Sequence, residues 1–186
     1  TWVYLMNLNM QKEAAALAGR LADEIDVFHA HDWLVATAGI GLKHVFRKPL
    51  LVTMHSTEIG RREGTHTSTE KMIHETEAWL TYEAWRVICC SEYMVSHVKW
   101  AFGLPSDKLV MVPNGVSTHV YEDVEKQDLR PFRVKFALPE EKIVLFVGRL
   151  VYEKGAHVLI NAIPKVLDKV NAKFVIVGSG YMKAQL

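Results

Sequence analysis

Strand-length apolar runs recur along this chain, each followed by a polar or turn-forming residue and then by apolar positions spaced three and four apart. Such runs occupy 25–30 (IDVFHA), 50–54 (LLVTM), 86–90 (RVICC), 109–112 (LVMV), 143–147 (IVLFV) and 174–177 (FVIV). Helical spacing fills the intervals at 10–22, 34–46, 67–85, 91–101 and 156–170. Thr67 and Glu70 have capping-box spacing, Ser91 suits an N-cap, and Gly103 with Pro105 suits a helix end. Residues 1–9 read as a strand end plus loop. Pro164 falls inside the last helical stretch and is expected to kink it or shift its boundary. Strands alternating with helices predict an α/β fold with doubly wound parallel sheets.

Residues 117–139 break the alternation. They are rich in charge, hold two prolines and lack sustained periodicity, which suits an interdomain connection. The expected organisation is residues 1–116 as the C-terminal part of one Rossmann-like domain, 117–139 as the connection, and 140–186 as the start of a second. Both domains are expected to be incomplete: the first shows no recognisable first βα unit, and the two strands of the second do not make a stable sheet alone.

Composition narrows the class. Apolar residues make up 49% and charged residues 23%, ordinary for a globular protein. A net charge of +1 gives no general pull toward nucleic acid, and no apolar run is long enough for a spanning helix. The two cysteines, Cys89 and Cys90, are adjacent and lack metal-ligand spacing, which suits a reducing, cytoplasmic setting. Met72, Trp79, Trp85, Trp100 and Phe102 are read as core residues of helices.

Candidate chemistry gathers at strand ends, where open parallel sheets bind ligands. The run 143–147 leads into Gly148 and Arg149, and Lys154 and Gly155 precede a helix. Two cations on a strand–loop–helix unit suit a diphosphate, because a helix N-terminus favours anions. The loop fits equally well a pair of solvated surface charges. His29 and His31 lie two apart and so share a strand face. His29 reads as a satisfied core histidine, and Asp32 as a cap of the next helix that can also meet a ligand. His-x-His could supply two metal ligands, but no further ligands have matching spacing, so no metal is assigned. His55 opens a long polar loop with Ser56, Thr57, Glu58, Arg61 and Arg62, a set suited either to a polyhydroxy ligand or to plain solvation. Gly178-Ser179-Gly180 lacks the third glycine of the dinucleotide fingerprint.

HAHDW (29–33), TMHSTEIGR (53–61), VPNGV (112–116), FVGRLVYEKG (146–155) and VGSG (177–180) follow one another across nearly the whole chain. That series resembles the retaining, nucleotide-sugar-dependent glycosyltransferases of GT-B fold, especially glycogen (starch) synthase-like members. The resemblance implies an acceptor side in the N-terminal domain and a nucleotide-sugar side in the C-terminal one. Arg149 and Lys154 match the pair that holds the donor diphosphate, with Gly148 beside them. His55 matches a histidine near the transferred sugar, His31 and Asp32 an acceptor-side motif, and Gly178 and Gly180 a loop near the nucleotide. The implied activity is transfer of glucose from ADP-glucose or UDP-glucose to an α-1,4-glucan, with no metal and no cofactor beyond the donor. The implied partners are a nucleotide sugar and a glucan. Another acceptor (a lipid, small sugar or cell-surface glycan) or a non-catalytic binding module is the alternative. The family's N-terminal K-x-G-G loop and C-terminal E-x7-E motif are not in this sequence, so the chain alone is expected to transfer no sugar.

Overall fold

A computed structural model describes residues 2–21, 24–62 and 64–186, and these form two compact units, Thr1–Val116 and Ser117–Leu186. The first unit is built on four parallel strands in the order β1-β2-β3-β4: β1 Phe28–His31, β2 Leu50–Met54, β3 Arg86–Cys89 and β4 Leu109–Met111. Helices connect them: α1 Trp2–Arg20 precedes β1, α2 Ala36–Phe46 follows it, α3 Glu58–Arg62 and α4 Ser68–Glu83 follow β2, and α5 Glu92–Phe102 follows β3. Val52 and Met54 of β2, Val87 and Cys89 of β3, Ile40 of α2, Leu80 of α4 and Val98 of α5 share one buried core. The expected parallel α/β architecture is present.

Several local expectations are revised. Residues 2–9 are not strand and loop but the first half of α1. Asn7 is buried there, and its amide donates to Leu34 O at 2.7 Å while its carbonyl accepts from Ala38 N at 3.0 Å. That tertiary tie to the start of α2 outweighs the weak helix propensity of the Trp, Val and Tyr residues around it. Ala22, the expected last residue of this helix, lies outside the described residues. The capping box is formed, with Glu70 N donating to Thr67 Oγ1 at 3.2 Å and Thr67 N to Glu70 Oε2 at 2.9 Å. Its two backbone donors, from His66 and Thr67, hold the Glu70 carboxyl below its ordinary pKa. Ser91 caps α5 through Met94 N.

Met72, Trp79, Trp85 and Trp100 are exposed rather than core, and of that set only Phe102 packs on the core. The buried stripe of α4 runs Ile73, Glu77, Leu80, Thr81, so Met72 and Trp79 point off it. Trp85 lies beyond the helix, which stops at Glu83 because Ala84 is extended.

The second unit pairs β5 Lys142–Val147 with β6 Ala172–Val177, again parallel, across α8 Ala156–Leu167. Residues 117–139 carry short helical turns over Thr118–Tyr121, α6 Glu122–Glu125 and α7 Arg130–Arg133, and cluster with this unit. The helix α8 continues three residues past Pro164 and stops at Leu167, short of the expected 170. The apolar run 143–147 is not buried on both faces. Ile143, Leu145 and Val147 remain exposed, and with Phe132 and Phe136 they line an apolar hollow of about 440 Å³.

Candidate functional site

Strand register brings residues far apart in sequence to one sheet edge. His31 pairs level with Thr53 and Met54 with Cys89, so the residues that leave β1, β2 and β3 emerge side by side: Asp32, His55 and Cys90. Apolar packing thus fixes where the polar chemistry appears, at the C-terminal ends of parallel strands.

Here the imidazoles form a ladder. His31 Nδ1 lies 3.0 Å from His55 Nε2, with the two rings stacked at 5.3 Å, and His29 lies 4.3 Å from His31. One nitrogen of the 31–55 contact must donate and the other accept, so the contact cannot survive with both rings cationic. The thiol of Cys90 sits 3.6 Å from His55 Nδ1, the ring's other nitrogen. His29 is satisfied, with Nε2 at 2.8 Å from Thr53 Oγ1, but it is exposed on the outermost strand rather than in the core. Desolvation of its ring, then the nearby His31 and His55, hold the His29 pKa below the ordinary histidine value.

Asp32 does not cap the following turn, since its carboxylate makes no capping bond there. Its Oδ1 instead accepts from the backbone N of His55 at 2.8 Å, and its own N donates to Thr53 O at 3.0 Å. It does so at φ 57° and ψ 179°, a region that side chains other than glycine avoid. Strain at the residue that anchors His55 marks this strand end as more than a connector.

The long loop after His55 is also more ordered than expected, because it contains α3 (Glu63 of this stretch lies outside the described residues). Thr57 is buried, accepting from Gly60 N at 3.1 Å and contacting His97 Nε2 at 2.6 Å. Arg61 donates to Glu58 Oε2 at 2.7 Å and to Ser56 Oγ at 3.0 Å. A hollow of about 310 Å³ opens beside this segment, lined by His55, Ser56, Arg61, Cys90, Tyr93 and His97 among others. Imidazole, hydroxyl and guanidinium groups around a hollow suit a polyhydroxy ligand. Cys90, His97 and Glu77 were not singled out from the sequence. Glu77 had a readable signal, because it falls on the apolar stripe of α4.

In the second unit, Gly148 and Arg149 follow β5, a short turn over Tyr152–Lys154 follows, and Gly155 (φ 71°) admits the chain to α8. Arg149 and Lys154 are exposed, and among the described residues the side chain of neither has a hydrogen bond or ion pair. No side chain caps α8; Val158 N donates to Gly155 O at 2.9 Å, and among the described residues the amides of Ala156 and His157 have no acceptor. Two available cations at the start of an uncapped helix form an anion-binding arrangement.

Gly178 and Gly180 have a structural reason apart from any ligand. Backbone bonds zip the loop after β6 to the loop after β5: Gly148 N to Val177 O at 3.0 Å, Leu150 N to Ser179 O at 2.8 Å and Met182 N to Leu150 O at 3.1 Å. A Cβ on Gly178 would sit 1.9 Å from Gly148 O, and one on Gly180 2.2 Å from Leu150 O. Gly178→Ala or Gly180→Ala is therefore expected to destabilise the second unit by roughly 1–3 kcal/mol, measured by denaturant unfolding, and to displace Arg149. Unchanged stability would place these loops farther apart than described.

Among the described residues no three His, Cys, Asp or Glu side chains are placed to hold a metal ion, and no helix is long and apolar enough to cross a membrane.

Comparison with known proteins identifies the family. Residues 2–120 match the Glycosyltransferase Family 4 model and residues 130–186 match Glycosyl transferases group 1. The chain belongs to these glycosyltransferases. It is 39% identical to an uncharacterised glycosyltransferase of Methanocaldococcus jannaschii over 188 residues, covering 100% of this chain and 47% of that protein. It is 34% identical over 142 residues to a glycogen synthase of Mycobacterium tuberculosis, covering 76% of this chain and 32% of the synthase. Anabaena HepE, solved with UDP-glucose, superposes with a TM-score of 0.68 at 22% identity, covering 91% of this chain and 44% of HepE. That likeness is one of fold: the two units are parts of the GT-B architecture. The chain spans less than half the length of these relatives.

Proposed function

We propose that this chain serves a retaining glucosyltransferase that moves glucose from ADP-glucose or UDP-glucose to the end of an α-1,4-glucan. The observation that carries the reading is the 34% identity to a glycogen synthase across 76% of the chain. The site chemistry is compatible with it. Arg149 and Lys154 hold the donor diphosphate, with Gly148 allowing the backbone near it. Negative charge grows on that diphosphate as the sugar–phosphate bond breaks, so fixed cations there stabilise the transition state more than the ground state. His55 contacts a hydroxyl of the transferred sugar, and Asp32 holds His55 by its backbone. His31 and the hollow beside His55 receive acceptor hydroxyls. Retention proceeds on the front face, with the leaving phosphate taking the acceptor proton, so no carboxylate nucleophile is required. The enzyme uses neither metal nor a further cofactor, and it works in the cytoplasm.

A donor and acceptor panel on the full-length protein tests this reading. Glucose from ADP- or UDP-glucose is expected in glycogen, released by an α-glucan hydrolase, with one nucleoside diphosphate formed per glucose transferred. Transfer only to a lipid, inositol phosphate or free sugar would replace the acceptor assignment. Donor binding without turnover on any acceptor would make the protein a nucleotide-sugar-binding module.

A further inference from the structure

The most deeply buried charged group in the first unit is one the proposed chemistry has not used. Glu77 of α4 has no solvent exposure. Its two carboxylate oxygens accept from the single backbone N of Glu58, at 2.9 and 3.0 Å, where the polypeptide leaves His55 and enters α3. Arg61 of α3 stands 3.9 Å from Glu77 Oε1, and Glu58 of α3 and Asp32 after β1 are the other charges that face it. Arg61 in turn donates to Ser56 Oγ, next to His55.

A buried carboxylate costs folding free energy unless it is paired and hydrogen-bonded, and an apolar side chain would fill the same place on the stripe of α4 more cheaply. Its partners explain what it does there. The segment 55–58 is held at both ends by acids that lie outside it: Asp32 takes the N–H of His55, and Glu77 takes the N–H of Glu58. Between these anchors the His55 ring meets His31 and Cys90.

We infer that Glu77 is a positioning residue of the transferase, whose buried carboxylate fixes the His55–Glu58 segment and so sets where the His55 imidazole stands. The inference rests on the role proposed above for His55. The ionised form is the one that does this, because a carboxylate offers acceptors to both the Glu58 amide and Arg61, whereas the acid directs a donor toward groups that only donate. Burial pushes the Glu77 pKa up to about 7, so both forms are present near neutrality. Activity therefore rises as pH passes upward through that value.

Two measurements test it. On the native ¹⁵N-labelled protein, the Glu58 amide cross-peak is expected to move with a midpoint near 7, and to stay still in Glu77→Gln. In the same variant kcat is expected to fall on the order of 10–10²-fold, the size of effect that misplacing a reacting group produces. The donor KM should change less than kcat does, since the diphosphate contacts of Arg149 and Lys154 remain. The rise of kcat with pH near 7 should also flatten. A variant with native kcat and native pH profile would overturn the inference, as would a Glu58 amide that ignores pH in the native protein. A lower melting temperature with kcat and pH profile unchanged would do the same, since that marks a purely structural residue. If the full-length protein with its native sequence turns over no nucleotide sugar, the transferase reading fails. The Glu58 amide and the His55 ring signals, compared between native and variant, still decide whether Glu77 holds that segment.

Discussion

In the full-length protein, Arg149→Ala or Lys154→Ala is expected to lower turnover by ~10²–10³-fold each, the usual cost of removing one preorganised group that stabilises charge developing in a transition state. The expectation follows from where these side chains stand. Both are exposed and, among the described residues, unpaired, so neither holds the fold together. Surface substitutions of that kind change stability by under about 0.5 kcal/mol. A drop in turnover with an unchanged melting temperature would thus report lost chemistry rather than lost folding. The loss should fall mainly on kcat, because a departing nucleoside diphosphate carries more charge than the intact donor. Arg149→Lys should recover only part of it, since a lysine cannot offer the two parallel N–H bonds of a guanidinium to one phosphate. Kinetics identical to the native protein would return both residues to the role of solvated surface charges.

The sheet was legible because its signal is local. Each strand of the first unit is a short apolar run closed by polar or turn residues, and the alternation with helices implies parallel pairing. His31, Asp32 and His55 could be placed at strand ends for the same reason. What they do to one another could not be read, because it depends on register. The stacking of His31 on His55 and the approach of Cys90 follow from the pairing of Thr53 with His31 and of Met54 with Cys89, which no single stretch encodes. Asp32 shows how a local rule can mislead. Aspartate before a helical turn normally caps it, yet here the backbone turns to φ 57° and the carboxylate reaches across to the next strand. The tertiary bond outweighs the local one.

Other misses have equally physical causes. Residues 2–9 look β-like by composition, and only the bonds from Asn7 to α2 reveal why they are helical. Gly178 and Gly180 suggested a nucleotide loop, but the tight backbone approach of two strand-end loops is sufficient reason for both. The two readings are compatible, because a phosphate site needs those loops held close and Arg149 lies on one of them. Glu77 differs in kind. Its position three residues before Leu80 and four after Ile73 puts a carboxylate on the buried face of α4, and such a conflict between local pattern and chemistry is typical of functional sites.

That conflict also predicts an unusual pH dependence of stability. Glu77 has an ordinary pKa of 4.5 when solvated and about 7 in the folded chain. Between those values the folded state binds more protons at this site than the unfolded state does, so stability falls as pH rises through the window. It is fully present below about 4.5 and lost above about 7, the reverse of a salt-bridged carboxylate. At 1.36 kcal/mol per pKa unit the loss amounts to roughly 3 kcal/mol. His29 acts in the opposite sense: its folded pKa is lowered, so the contribution it makes grows as pH rises through the ordinary histidine range. Comparison with Glu77→Gln separates the two, since the variant keeps His29. Urea unfolding followed by tryptophan fluorescence isolates the relevant unit, because Trp2, Trp33, Trp79, Trp85 and Trp100 all lie within it. The native stability should drop relative to the variant by roughly that amount between pH 5 and pH 8. Parallel curves for the two proteins would mean that Glu77 keeps one protonation state throughout. Divergent curves would show that the ionised form, which ties His55 in place, is carried at the expense of the fold that holds it.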